Sequence, residues 1–487
     1  MIAYRKHTDF QGKNPMSAQI LLQGRLLGVE NFLSSGSAGQ NNVVFEARTA
    51  WVTLLGEVLP RALLSELQLP LLLMGTADRN EFLVILPDQG RADAAAQFLT
   101  RAAATIQTAT NSALRLIWSA TENLGAWTVV RKRLNDGLRE QRHKVPLEPG
   151  FFAAFEKTAP SDDATPPGLR EAAGVGFSFD FPALIAAEGG QYHWDLSAQA
   201  SMGNISLSRH QAQTDNGPAS TAQLAGRSKG QRLWGVLRGE FDDFALRLRR
   251  VQSVEEYVTL ALLYKQFLAG ELELLCSQPD YFQSVTVLYA TTSGFAVYGA
   301  WDALAGFAQE LERIFARFTA ENLKELPGGE AKTISMALRI ADAEETLGHV
   351  YEMAGRDLEV AKASDKDCIH LLGRVLEWRH LSSAAELKDA VAKLTEEFRS
   401  GRQFVTQLRN LYKKVETAER SEDERLRARA LRFQRQFARA AGKREKEFQK
   451  LRSHLMKEMT GKNIRGRLKL RPEGLVAMEW ARLSAKG

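Results

Sequence analysis

Cysteine is nearly missing from this chain: two residues in 487, Cys276 and Cys368. That scarcity excludes a disulfide framework and any four-cysteine zinc ribbon. Long apolar runs are missing too. Leu67 to Met74 is interrupted by Pro70 and falls far short of the roughly 20 residues that a membrane-spanning helix needs. The N-terminal stretch MIAYRKHTDFQGKNP lacks the apolar centre of a secretion signal. A cytoplasmic location with no membrane partner is the expectation. Catalytic signatures are equally sparse. There is no G-x-x-x-x-G-K-[ST] phosphate loop and no G-x-S-x-G elbow. None of the eight histidines is followed by aspartate, and residues 141–230 contain no cysteine.

What is present fits a globular protein of about three domains: 44% hydrophobic and 25% charged residues. Residues 18–27 read as a buried strand, and helical spacing over 42–67 carries Pro60 as a kink. Leu71–Gly75 and Phe82–Leu86 flank the turn TADRN as a hairpin. A helix over Arg91–Gln107 and a strand at Ala113–Ser119 complete the order β-α-β-β-α-β, which is ferredoxin-like. The same order returns from Arg232: a strand to Phe241, a helix Val254–Leu275, and a hairpin of Ser284–Ala290 and Phe295–Gly299 around TTSG. A helix Trp301–Asn322, a strand Thr333–Ile340, a helix Ala343–Ala363 and a last strand Asp367–Leu372 follow. Between the units, 141–230 reads as a loosely built connecting domain, flexible between Gln211 and Gly230, with GRSKG (226–230) as a basic turn. From about 383 onward the spacing is wholly helical.

The motifs of both units carry a family resemblance. VTVLYATTSGFAVYGAWD (285–302) is similar to the palm hairpin of the large subunit of type III CRISPR effector complexes, with Tyr289, Gly299, Trp301 and Asp302 in frame. WGVLRGEFDDF resembles that family's first palm strand, with Glu240 and Asp242 at its two acidic positions. ISMALRIAD, AGRDLEVAKA and KDCIHLLGRVLEW resemble its closing strand, its Lys-bearing helix and its final run, with Lys366, Gly373, Arg374 and Trp378 matched. In the first unit, LLQGRLLGVENFL keeps Gly24, Gly28 and Phe32 of the family's pattern but has Arg25 for Asp and Glu30 for Gln. GTADRNEFLVILP resembles its Gly-rich hairpin.

The resemblance implies an α+β fold: first palm 18–140, middle domain 141–230, second palm 231–382, and a basic, all-helical C-terminal domain 383–487 after an extension of 17 residues. It also implies what chemistry to look for. The family makes cyclic oligoadenylates at a Gly-Gly-Asp-Asp hairpin whose carboxylates hold divalent metal. Here that position reads Thr291-Thr292-Ser293-Gly294, so two carboxylates are gone, and the expectation is a degenerate site of Glu240, Asp242, Thr291, Thr292, Ser293 and Gly294. With the His-Asp nuclease and the cysteine-rich insert also unmatched, the chain is expected to be a non-catalytic scaffold with no cofactor or metal. The alternative is a residual cyclase or a nucleotide-binding sensor using the palm cleft, with Asp243 as a further carboxylate.

Charge supplies the last signal. The net +6 is uneven: Leu411–Leu470 holds 19 Lys+Arg against 8 Asp+Glu, which leaves about −5 for the rest. RLRARALRFQRQFARAAGKR has no acid, and its cations are Arg425, Arg427, Arg429, Arg432, Arg435, Arg439, Lys443 and Arg444. One-signed charge repels itself until a polyanion neutralises it, so these residues are expected to contact RNA. The expected partners are guide RNA, target RNA, and the backbone, guide 5′-end capping and small helical subunits of the complex.

Overall fold

The computed structural model describes residues 19–34, 36–143, 165–197, 204–326, 328–397, 405–410, 446–462 and 468–485. The first unit is built from β1 (Ile20–Leu27), α1 (Val29–Ser34), α2 (Asn42–Glu66), β2 (Met74–Ala77), β3 (Glu81–Leu86), α3 (Gln89–Ala109), β4 (Arg115–Glu122) and α4 (Trp127–His143). Its sheet has the order β2-β3-β1-β4, antiparallel throughout, which is the ferredoxin-like arrangement. Because strand side chains alternate, β1 feeds two cores. Ile20, Leu22 and Leu26 join the cluster containing α2 and α3, whereas Leu21 joins the cluster containing α4 and the second unit. Pro60 stays inside α2, which runs its full 25 residues, capped by the Asn41 side chain on the Val43 and Val44 amides.

The middle region holds β5 (Gly174–Phe177), β6 (Ile185–Ala186), β7 (Tyr192–Ser197) and β8 (Ile205–Ser206) in one sheet, then the ribbon β9 (Gln213–Thr214) and β10 (Gly217–Pro218), then α5 (Thr221–Arg227). Its described buried side chains, Val175, Phe177 and Ile185 among them, join the first unit's core. Phe98 of α3 stacks on Phe177 at 5.6 Å, and Trp51 of α2 donates its indole N–H to the Ala183 carbonyl at 3.1 Å. The flexibility expected for Gln211–Gly230 is not found. Ala212, Ala219, Leu224 and Ala225 are buried, α5 starts in a Ser220/Gln223 capping box, and the Lys229 amide donates to Asp302. Its polarity comes from caps and turns rather than from solvation.

The second unit comprises β11 (Trp234–Phe241), α6 (Phe244–Arg250), α7 (Val254–Cys276), β12 (Val285–Ala290), β13 (Gly294–Ala300), α8 (Trp301–Asn322), β14 (Ile334–Ala341), α9 (Leu347–Ala363), β15 (Cys368–Leu371) and β16 (Arg374–Glu377). Its sheet runs β12-β13-β11-β14-β15-β16: a ferredoxin-like order extended by the edge hairpin β15-β16, whose first strand runs parallel to β14. Leu237 and Phe241 of β11 pack with α7 and α8, while Trp234 and Val236 face α9 and the first unit.

Beyond it lie α10 (Trp378–Glu397), α11 (Lys446–Met459), the strands β17 (Thr460–Lys462) and β18 (Leu468–Leu470), and α12 (Pro472–Ser484). Among the described residues the C-terminal region is helical as read, with one correction: β17 and β18 form a short antiparallel hairpin. The helix α10 starts at Trp378, so it straddles the 382/383 boundary. Val476, Trp480 and Leu483 of α12 return to the second unit's core.

His370 of β15 is buried, with Nδ1 3.6 Å from Asp357 of α9. Burial pulls its imidazole below its ordinary value; Asp357 opposes this, and Arg339 and Arg374 add to it. A depressed folded-state pKa stabilises the fold above the unfolded pKa, and that stability is lost as pH falls through the lower folded value. Replacing His370 by Asn should therefore make the fall in melting temperature between pH 7 and pH 5 shallower than in the parent chain. Parallel pH profiles would refute this.

Candidate functional site

The strand β11 ends at the expected acidic positions. Its register sets Glu240 across from Gly294 on one side and Ser335 on the other, and the Phe241 amide donates to the Ser293 carbonyl at 2.9 Å. The structure thus brings together Glu240, Asp242, Ser293 and Gly294. Gly294 is required by close approach. A Cβ there would lie 2.5 Å from the Gly239 carbonyl oxygen and 2.9 Å from Glu240 Cγ.

Glu240, Asp242 and Asp243 each have a partner within the chain. Lys362 of α9 donates to Glu240 Oε2 at 2.6 Å and to Glu359 at 3.0 Å. Burial lowers the Lys362 pKa, but its two carboxylate bonds outweigh that and leave it raised. Asp242 is buried and accepts three bonds: from Thr333 Oγ1 at 2.8 Å, Ser335 Oγ at 2.7 Å and the Asp367 amide at 3.0 Å. Asp243, in the left-handed region at φ 56°, meets Lys366 Nζ at 2.8 Å through both oxygens. The Asp367 carboxyl, at the same corner, is pushed up, by burial first and then by Asp242 and Glu377. Among the described residues no group of three His, Cys, Asp or Glu is placed to hold a metal ion.

The hairpin tip is closed on itself. The Thr291 amide and hydroxyl both donate to the Gly294 carbonyl at 2.8 Å, and the Gly294 amide donates back to Thr291 Oγ1 at 3.1 Å. Thr292 is buried, and its amide donates to Asp78 Oδ2 at 3.0 Å, at the tip of the first unit's hairpin. Burial pushes the Asp78 carboxyl up, against Lys265 and the Thr292 and Arg79 amides.

Between the units lies a cluster that sequence reasoning missed in part. Arg79, next to Asp78, stacks over Tyr289 at 4.0 Å, and Arg238 of β11 stacks over Tyr351 of α9 at 4.1 Å. Glu30 of α1 joins them: 3.7 Å from Arg79, 3.5 Å from Arg238, and accepting from the Tyr351 hydroxyl at 3.0 Å. Glu30 and Tyr289 carried a motif signal. Arg79, Arg238 and Tyr351 come from separate elements with no shared spacing, and only the fold joins them. The RNA-binding candidates Arg425, Arg427, Arg429, Arg432, Arg435, Arg439, Lys443 and Arg444 lie outside the described residues.

With this geometry in view, comparison places the second unit in a class. Residues 233–370 match the family model of Cas10/Cmr2, second palm domain. The second unit is thus similar to the second palm domain of Cas10/Cmr2. The whole chain has the fold of Csm1. Over 98% of its length it superposes on 72% of Csm1 from an apo Csm1–Csm4 cassette, with TM-score 0.74 and 16% identity. A Csm1–Csm4 cassette in complex with cA4 gives TM-score 0.75 at 16% identity, covering 96% of this chain and 70% of that one. Csm1 from T. onnurineus gives 0.69 at 15%, with the same coverage. Among curated proteins none matches the sequence.

Asp242 and Glu240 should separate on mutation. Asp242→Ala leaves two hydroxyls and an amide without their buried acceptor, and should cost about 3 kcal/mol in urea unfolding. Glu240→Ala removes a half-exposed ion pair and should cost under about 1 kcal/mol. Equally small losses would overturn the structural role assigned to Asp242.

Proposed function

We propose that the chain is the large subunit of a type III-like CRISPR effector ribonucleoprotein, one that keeps the two-palm scaffold and performs no nucleotide chemistry. The observation that carries this reading is the corner of a Cas10/Cmr2-type palm whose hairpin tip is Thr291-Thr292-Ser293-Gly294 and whose remaining carboxylates are already partnered by Lys362, Lys366 and the Thr333 and Ser335 hydroxyls. Two-metal transfer needs carboxylates free to ligate. Diverting Glu240 and Asp243 into lysine pairs, and Asp242 into three hydrogen bonds, opposes that. The role follows: the scaffold caps the guide-RNA 5′ region with neighbouring subunits and helps hold target RNA, whose sequence is read by base pairing. Csm1, whose fold the chain shares, was solved in a cassette with Csm4 and in a subcomplex of the type III-A CRISPR–Csm interference complex. The cations between Arg425 and Arg444 contact phosphate in this reading.

One observation favours a second reading, a nucleotide sensor. Csm1–Csm4 cassettes were solved with cA4 and with AMPPNP, and here Arg79 and Arg238 place two guanidiniums between the palms. Calorimetry of the isolated chain with ATP tests it: micromolar binding supports a sensor, and no heat rejects it.

Purification of the tagged chain from its own cells tests the main reading. Backbone and capping subunits with a guide RNA should copurify; a chain that emerges alone and free of nucleic acid contradicts it. Changing Arg429, Arg432, Arg435 and Arg439 together to Glu should weaken RNA binding and flatten the salt slope by about 3, at roughly 0.7 per phosphate contact. An unchanged slope removes the arm from the account.

A further inference from the structure

The face of β1 turned away from α2 and α3 opens onto a groove of about 590 Å³ between α4, β4 and the end of α6. Its walls carry Arg25 of β1, Arg131, Lys132, Arg139 and Arg142 of α4, and Arg249 of α6; Asp136 is the only acid among its lining residues. The helix α4 generates the stripe. Val130, Leu134 and Leu138 bury one face at four-residue steps, and the cations follow on the adjoining face.

Neighbouring arginines on the same elements are committed elsewhere. Arg133 donates to the Leu124 carbonyl at 2.5 Å, and Arg247 and Arg250 reach Glu330 at 3.5 and 2.7 Å. Within the groove, Arg25 pairs with Glu81 at 2.5 Å and exposed Arg139 lies 3.6 Å from Asp136. Lys132, Arg142 and Arg249 have no acidic partner among the described residues. Arg131 is pinned, donating to the Leu248 carbonyl at 2.5 Å with its guanidinium 5.6 Å from the Tyr257 ring. Burial lowers its pKa, and the like charges of Arg249 and Arg25 lower it further against Tyr257 and Glu81. Six cations in one open groove repel one another, and a polyanion relieves that cost. From Arg131 to Arg142 the helix spans about 16 Å, long enough to meet a few successive phosphates of one strand. No lining residue is aromatic, so the groove offers nothing for bases to stack on and suits backbone contact that ignores sequence.

We propose that this groove holds the phosphate backbone of single-stranded RNA, as a second track separate from the basic C-terminal arm. It deepens the RNA-holding part of the proposed function. Its test is independent, because it reads binding by the isolated chain, whereas the large-subunit reading is decided by copurification.

The probe is a fluorescein-labelled single-stranded RNA of about 25 nucleotides, titrated by anisotropy against the full chain between about 50 and 200 mM KCl. The joint change Lys132→Glu, Arg139→Glu and Arg142→Glu touches only exposed side chains. It should weaken binding by at least about tenfold and make the salt slope shallower by about 2, at roughly 0.7 per contact. The matching Gln triple should lose less affinity but show the same shallower slope, with an unchanged circular dichroism spectrum. Parent affinity and slope in both triples would overturn the proposal, as would a parent chain that binds no RNA at the lowest salt. Loss of a copurifying acidic protein with RNA binding intact would mark the surface as a protein dock, and would overturn it too.

Discussion

The Thr292 amide bonded to the Asp78 carboxylate joins two hairpin tips from different halves of the chain, where the two ferredoxin-like units meet. The approach is close. A Cβ on Gly56 of α2 would lie 2.3 Å from the Asp78 carbonyl oxygen, so the first tip sits directly on α2. Beneath it, Lys265 of α7 donates to the Glu57 carboxylate at 2.5 Å and the Ala77 carbonyl at 2.6 Å, while Arg61 holds the other Glu57 oxygen at 2.9 Å. These are buried charges in a connected set, so removing one leaves another uncompensated, a far larger cost than losing a surface pair. Once the tips are locked, the Arg79, Arg238, Glu30 and Tyr351 cluster has a fixed geometry. The corner at Glu240 is set by the same frame.

The corner shows acidic side chains bonded within their own chain. At the end of β11 the backbone is committed to β13 and β14, and Gly294 leaves no room for a side chain. The carboxylates that remain have been given cations and hydroxyls of this same chain. They tie α9 and the Lys366 turn to the end of the central strand β11, so acidic residues at these positions have a structural use apart from any metal.

Much of this was legible in the sequence. A buried apolar strand at Ile20–Leu27 and helical spacing in Asn42–Glu66 and Trp301–Asn322 located both ferredoxin-like units within a few residues. The frame of Tyr289, Gly299 and Trp301 located the corner. What escaped had physical reasons. The helix α4 is so rich in Arg that its short apolar stripe was hidden, and β16, at four residues, is too brief for periodicity. The stretch Gln211–Gly230 read as flexible because its order rests on caps and on single buried residues. The partners of Glu240 and Asp242 lie 122 and 93 positions away, at Lys362 and Ser335, and no local pattern announces such pairs.

The central claim is that the palms support RNA and do not turn over nucleotide. The assembled complex, incubated with labelled ATP, Mg²⁺ or Mn²⁺ and a matching target RNA, tests it most directly. The account predicts that ATP remains unconverted while target RNA is bound. Linear or cyclic oligoadenylate formed only when target is present would contradict it.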